Sequence, residues 1–301
     1  MMQACASKGW LAGGVNFRGT GGVEMTTPRA YNASYTGDVR NIVLQMQQRL
    51  GDNVPIFLAG HSLGANIMTK YLGEEGMSGT MPKCVAGAIS LGNPKKVHSG
   101  VIPFHVSAGI SMGLKKLVLE NVRAISKMKD QHFQSQIRRC LMALDTHEFD
   151  DHIAPIALRN APFYPYSLRI GFKNNLRYWL DSSSYRHIRH IPVPLLTLDA
   201  EDDMICHKST QMKMCYTLAN PNVLSVETRS GGHLGWFETL QGDSPLHVKS
   251  WSDVAVVDFV DAILQLRAEG QLNGHTYADS SDQVDLGTSD RTTQPILQSK
   301  L

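Results

Sequence analysis

The stretch Gly60-His-Ser-Leu-Gly64 follows an apolar run, Val54-Pro-Ile-Phe-Leu58, and leads into Ala65-Asn-Ile-Met-Thr-Lys-Tyr-Leu72. The first run is short and β-rich, as a buried strand is, and the second reads as the first turns of a helix. A chain that places two glycines and a serine between them must bend sharply there and tolerate little side chain. Glycines let neighbouring backbone pass closely, and a helix N-terminus aims amide hydrogens at charge developing beside the serine. A G-x-S-x-G turn of this kind can hold its serine in a strained conformation with the hydroxyl exposed at a sheet edge. An ordinary glycine-rich turn with a capping serine has the same letters, so the rest of the chain must decide.

The surrounding pattern alternates. Trp10–Phe17 reads as a strand and ends in Arg18-Gly-Thr-Gly-Gly22; the preceding residues read as the end of an amphipathic helix rather than a signal peptide. Val39, Ile42, Val43, Met46 and Leu50 recur at helical spacing, with start signals at Thr36, Gly37 and Asp38. The strand at 54–59, the glycine turn, a helix at 64–73 and a strand over Cys84–Leu91 follow. This order predicts a parallel sheet with helices on both faces.

Between about 94 and 190 the alternation stops. Helical patterns at Leu114–Lys129 and Phe133–Leu144, then loop-like Phe163-Tyr-Pro-Tyr166, predict a helical cap inserted over the sheet. Phe104, Ile110, Met112 and Leu114 are candidates to face an apolar ligand or to bury against the sheet. Alternation resumes with a strand at Val193–Leu198, a helix near Ser209–Thr217, a strand at Val223–Thr228 and a closing helix from about Trp251 to Arg267. The expected organisation is one domain over 1–268 with a polar, disordered tail over 269–301.

Bulk properties exclude several functions. The 301 residues are 42% hydrophobic and 19% charged, with a formal net charge of +2, so no nucleic-acid groove is suggested. Cys5, Cys84, Cys140, Cys206 and Cys215 show no C-x-x-C spacing and fit reduced thiols rather than a disulfide framework or zinc site. No apolar run reaches the roughly 18 residues of a membrane span. No metal-ligand spacing and no phosphate-binding G-x-x-x-x-G-K-[ST] is present, so chemistry without a cofactor is the economical expectation.

A reactive Ser62 needs a base to take its proton and an acid to orient that base. In an open parallel sheet both must come from loops after later strands. Asp202 and Asp203 follow the Val193–Leu198 strand, and His233, flanked by Gly231, Gly232 and Gly235, follows the Val223–Thr228 strand. The order Ser…Asp…His is the one expected of an α/β-hydrolase. Asp203 is the better placed acid, just before the chain leaves the strand edge, with Asp202 structural or solvent-facing. His61 reads as a packing residue of the turn; His152 and His207 read as surface or hydrogen-bonded residues.

Asn16-Phe-Arg-Gly19, Thr27-Pro-Arg29, Gly60-His-Ser-Leu-Gly-Ala-Asn66, Tyr71-Leu-Gly73, Phe149-Asp-Asp151, Ala200-Glu-Asp-Asp203 and Gly231-Gly-His-Leu-Gly235 stand in one characteristic order. Together they resemble the type 4 AB hydrolase family of α/β-hydrolases, over about residues 5 to 265. The resemblance implies a carboxylic-ester hydrolase or acyltransferase acting on acylglycerols, phospholipids or medium-chain esters. It makes Ser62 the nucleophile, His233 the base, one of Asp202 and Asp203 the acid, and the Leu63 amide an oxyanion donor. It also makes the stretch before His190 a lid, with Phe149–Asp151 and Trp179–Ser184 as landmarks.

The resemblance departs at the front. Family members carry further leading strands, a loop lending a second oxyanion amide, and in many cases a membrane anchor. The expectation is therefore a piece of a longer protein, cytoplasmic or peripherally membrane-associated, with a lipid or small acyl ester as its partner. The competing expectation is a catalytically impaired module that binds lipid or protein without turnover.

Overall fold

A computed structural model describes residues 1–26, 31–97, 101–127, 129–154, 156, 175–206, 220–239, 248–272 and 274–276. Four strands form a parallel sheet in the order β1 (Ile56–His61), β2 (Val85–Leu91), β3 (Leu195–Ala200) and β4 (Val223–Thr228). Every residue of β2 and β3 is buried, whereas β1 and β4 are partly exposed. The largely apolar character of the two central strands follows from that position, since both faces of a parallel sheet are covered.

The covering helices explain the pattern. On one face Met68, Tyr71 and Leu72 of α3 (Leu63–Ser78) and Val43 of α2 (Gly37–Leu50) pack with Val85, Ala88 and Leu195. On the other, Val256 and Val260 of α9 (Trp251–Ala268) pack with Ile89, Leu91, Leu196, Leu198 and Ala200. Side chains alternate along a strand, so Ile89 with Leu91, and Leu196 with Leu198 and Ala200, reach the α9 side. Together these residues form the α/β-hydrolase type of layering, and the fold class expected from the sequence holds.

Trp10–Phe17 is not a strand. A short helix α1 (Met2–Ser7) precedes it, and residues 10–17 run irregularly, with no ladder partner among the described residues. An extended apolar segment becomes a strand only where a neighbour accepts its hydrogen bonds, and among the described residues β1 pairs only with β2. Conversely, a hairpin of three-residue strands, β5 (Phe237–Thr239) and β6 (Val248–Ser250), was not expected.

Among the described residues five α-helices lie between β2 and β3: α4 (Phe104–Glu120), α5 (Val122–Ser126), α6 (Gln131–Met142), α7 (Thr146–Ile153) and α8 (Asn175–Ser182). The α6 and α7 starts are capped by aspartates: Asp130 accepts from the Phe133 amide at 2.8 Å and Asp145 from the Glu148 amide at 2.9 Å. Phe133, Ile137 and Cys140 form the buried stripe of α6 at helical spacing. Helix α4 starts ten residues earlier than the sequence pattern suggested. It buries Ser107 and Ser111 and leaves Phe104 and Met112 65% and 70% exposed, so these two do not pack against the sheet. Leu114 joins Cys140, Ala143 and Phe149 instead.

Two of the expected landmarks meet here: the Trp179 indole donates to Asp150 Oδ2 at 2.9 Å. The helix expected at Ser209–Thr217, the loop Phe163–Tyr166, Thr27–Arg29, Cys215 and His207 lie outside the described residues, as do residues 277–301. The chain beyond α9 first returns to the sheet. Thr276 N–H donates to the Pro192 carbonyl at 2.9 Å, and His275 Nε2 lies 3.0 Å from the Val85 carbonyl.

Candidate active site

Three loops at the C-terminal ends of β1, β3 and β4 converge. Ser62 joins β1 to α3 with φ +51° and ψ −122°, alone among described non-glycine residues in having positive φ. Such a conformation costs on the order of 1–3 kcal/mol and persists only where the surroundings hold it. Here the Ser62 amide donates to the Leu91 carbonyl at the end of β2, at 2.9 Å, and the Asn66 amide closes on the Ser62 carbonyl at 3.1 Å. Gly60 is required by contact: a β-carbon there would lie 2.6 Å from the Ala65 Cα. Gly64 faces open space.

His233 Nε2 lies 2.7 Å from Ser62 Oγ, and its Nδ1 lies 2.8 Å from Asp203 Oδ2. The Asp203 side chain is fully buried and that of His233 is 18% exposed. The other Asp203 oxygen, Oδ1, accepts from the Ile205 and Cys206 amides, each at 2.8 Å. Burial by itself would raise the Asp203 carboxyl. The His233 bond, the Cys206 amide, the His233 charge and the Ile205 amide outweigh it and hold the carboxyl below its ordinary value.

Asp202 is exposed and points elsewhere. Its Oδ1 accepts from the Gly232 amide at 2.8 Å, so of the two neighbouring aspartates it is Asp203 that reaches His233. His61 closes β1 opposite Leu91, and His152 lies in α7; neither enters the Ser62–His233–Asp203 chain. Leu63 is the first residue of α3, where helix geometry leaves amides without an intrahelical acceptor.

Sequence reasoning gave no role to Gly92, nor to Asn66 beyond its place in the motif after Ser62. Gly92 has φ +54°, and a β-carbon on it would lie 2.5 Å from the His233 carbonyl oxygen, so only glycine lets the histidine loop seat there. The signal available was a glycine ending an apolar strand. Asn66 is fully buried at the start of α3. Its Nδ2 donates to the Ser182 carbonyl at 2.7 Å and its Oδ1 accepts from the Ser184 amide at 3.0 Å.

Beneath the acid turn Lys95 Nζ binds Asp199 Oδ2, both residues buried, and Asp199 Oδ1 has no partner among the described residues. Ligand atoms of Asp203, Cys206 and His233 lie within 4.8 Å of one another, close enough to hold a metal ion. Their chemistry argues against that use. A metal needs the thiolate, whereas burial, then Asp203 and Asp199, push the Cys206 thiol far up, and its S–H donates to the Gly92 carbonyl.

The family model described as serine aminopeptidase, S33 (Hydrolase_4) matches residues 1–239, and the chain belongs to this family of α/β-hydrolases. It is similar to the embryogenesis-associated protein EMB8 of Picea glauca, 28% identical over 90% of this chain and 56% of that protein. The monoacylglycerol lipase of Saccharomyces cerevisiae is 31% identical over 75% of this chain and 48% of the relative. The phospholipase ABHD3 of Bos taurus is 26% identical over 83% and 56%. The chain thus spans about half the length of the curated relatives it matches. No helix among the described residues is long and apolar enough to cross a membrane.

Proposed function

We propose that the chain carries the acyl-transfer centre of a serine hydrolase that cleaves carboxylic esters of acylated lipids. The observation that carries the reading is the unbroken hydrogen-bond chain Ser62–His233–Asp203. His233 Nε2 takes the Ser62 proton as Oγ bonds to the ester carbonyl carbon. The carbonyl oxygen becomes an oxyanion stabilised by the Leu63 amide at the positive end of α3. Collapse expels the alkoxide, which receives the proton from His233, and leaves an acyl group on Ser62. Asp203 holds the imidazole in the tautomer with the proton on Nδ1 and stabilises the imidazolium. Water activated by the same base releases the acid; an alcohol in its place makes a new ester.

In this reading the helices between β2 and β3 act as a cap. The activities named for the relatives, monoacylglycerol lipase and phospholipase, support an acylglycerol or phospholipid as substrate. A fluorophosphonate probe and p-nitrophenyl esters of graded chain length test the proposal together. The parent chain should label and turn over, and Ser62→Ala should do neither. Labelling retained in Ser62→Ala moves the nucleophile elsewhere, and no turnover in the parent leaves a binding module.

A further inference from the structure

We infer that Asp202, the exposed neighbour of Asp203, is a positioning residue that holds the His233 loop onto the acid turn by accepting the Gly232 amide. The inference rests on the proposed function of the site.

His233 rides on a narrow turn. Its base is closed by Gly235 N–H donating to the Gly231 carbonyl at 2.7 Å, and Gly231 lies against the Trp236 indole, which donates to Thr228 Oγ1 at 2.9 Å. These contacts tie the turn to the end of β4. They leave its rotation toward the acid turn to be set by other groups. Among the described residues, the side chains of Asp203 and Asp202 each send one bond across that gap. One is the His233–Asp203 bond, which changes character as the imidazole is protonated and released. The other is Asp202 Oδ1 to the amide of Gly232, the residue directly before His233, in which no proton moves during the reaction.

Gly232 has φ +56°, so the amide that Asp202 accepts is presented by a backbone conformation that L-residues rarely adopt. On the opposite side the His233 carbonyl rests on Gly92. The histidine backbone is therefore gripped before and after the side chain, by Asp202 and by Gly92. The adjacent aspartates divide the work: Asp203 meets the ring and Asp202 meets the main chain that carries it. An exposed bond of this kind contributes little to global stability but fixes an angle on which the 2.7 Å approach to Ser62 depends.

The test compares Asp202→Ala and Asp202→Asn on p-nitrophenyl butyrate, with Ser62→Ala as the blank and rates normalised to folded protein by ellipticity. Asparagine keeps a carbonyl acceptor and loses only the charge. Asp202→Ala should lower kcat about ten-fold, with KM within about two-fold, because a small misplacement of a catalytic group is felt in the chemical step. Asp202→Asn should stay within about two-fold of the parent in both constants. An alanine variant with parental kcat overturns the inference, as do alanine and asparagine variants that are equally slow. A silent Ser62→Ala beside an unaffected Asp202→Ala sinks this inference alone; an active Ser62→Ala sinks the serine reading instead.

Discussion

The Cys206 thiol donates to the Gly92 carbonyl across 3.0 Å, fastening the acid turn to the end of β2. The same residue's amide holds Asp203, and Gly92 supports the His233 backbone, so one cysteine connects the seats of both groups. Cys206→Ala removes the donor and leaves a buried carbonyl unpaired, and should destabilise the chain by about 1–3 kcal/mol in urea unfolding. Cys206→Ser, which keeps a donor, should recover part of that loss. Because burial, then the Asp203 and Asp199 charges, hold the thiol protonated, mass spectrometry after native iodoacetamide treatment should find Cys206 unmodified.

The two glycines around Ser62 should respond differently. At position 60 an alanine would meet backbone, the Ala65 Cα at 2.6 Å, which cannot move aside without shifting α3. Gly60→Ala should cost about 1–3 kcal/mol and reduce probe labelling. Gly64→Ala meets nothing within 4 Å and should leave the melting temperature unlowered.

Acid should weaken the fold through His187. Burial, then the charges of Lys70, His190 and Arg186, lower its pKa from 6.5 to about 3. The folded ring stays neutral while the unfolded ring takes up a proton below pH 6.5. This contribution is therefore complete above pH 6.5 and is lost as pH falls toward 3. It amounts to about 2 kcal/mol at pH 5 relative to pH 7.5. Urea midpoints at the two pH values should differ accordingly, and His187→Gln should shrink the difference.

Lys95 and Asp199 form a buried ion pair. Lys95→Met strands a carboxylate that already has one oxygen without a partner, and should cost about 3–5 kcal/mol. Lys95→Met combined with Asp199→Leu should cost less than Lys95→Met alone, a sign of coupling that thermal denaturation of the two variants reads directly.

The sheet was legible because β2 and β3 are mostly apolar, interrupted by Ser90, Thr197 and Asp199, as strands covered on both faces tend to be. Trp10–Phe17 was misread for the converse reason: strand character depends on a hydrogen-bonding neighbour, which a local pattern does not contain. Helix α4 escaped notice before Leu114 because its first ten residues include two glycines and bury serines rather than leucines. At the site, the strand–turn–helix context singled out Ser62, and the glycine-rich loop singled out His233. Asp202 and Asp203 are chemically identical neighbours, and only the direction each side chain takes from the turn separates them. Gly92 and Asn66 act through backbone groups brought from far along the chain, which no spacing rule reports.

Asn66 sits one turn beyond Ser62 in the helix that begins at Leu63 and grasps the main chain on both sides of Ser183, where the last helix of the long excursion from β2 ends ahead of β3. The far end of that excursion is thus anchored to the serine's own helix rather than hanging from its loops. Lengthening or redesigning the middle of the excursion leaves this knot intact, whereas any strain arriving at its exit is felt within one turn of the serine.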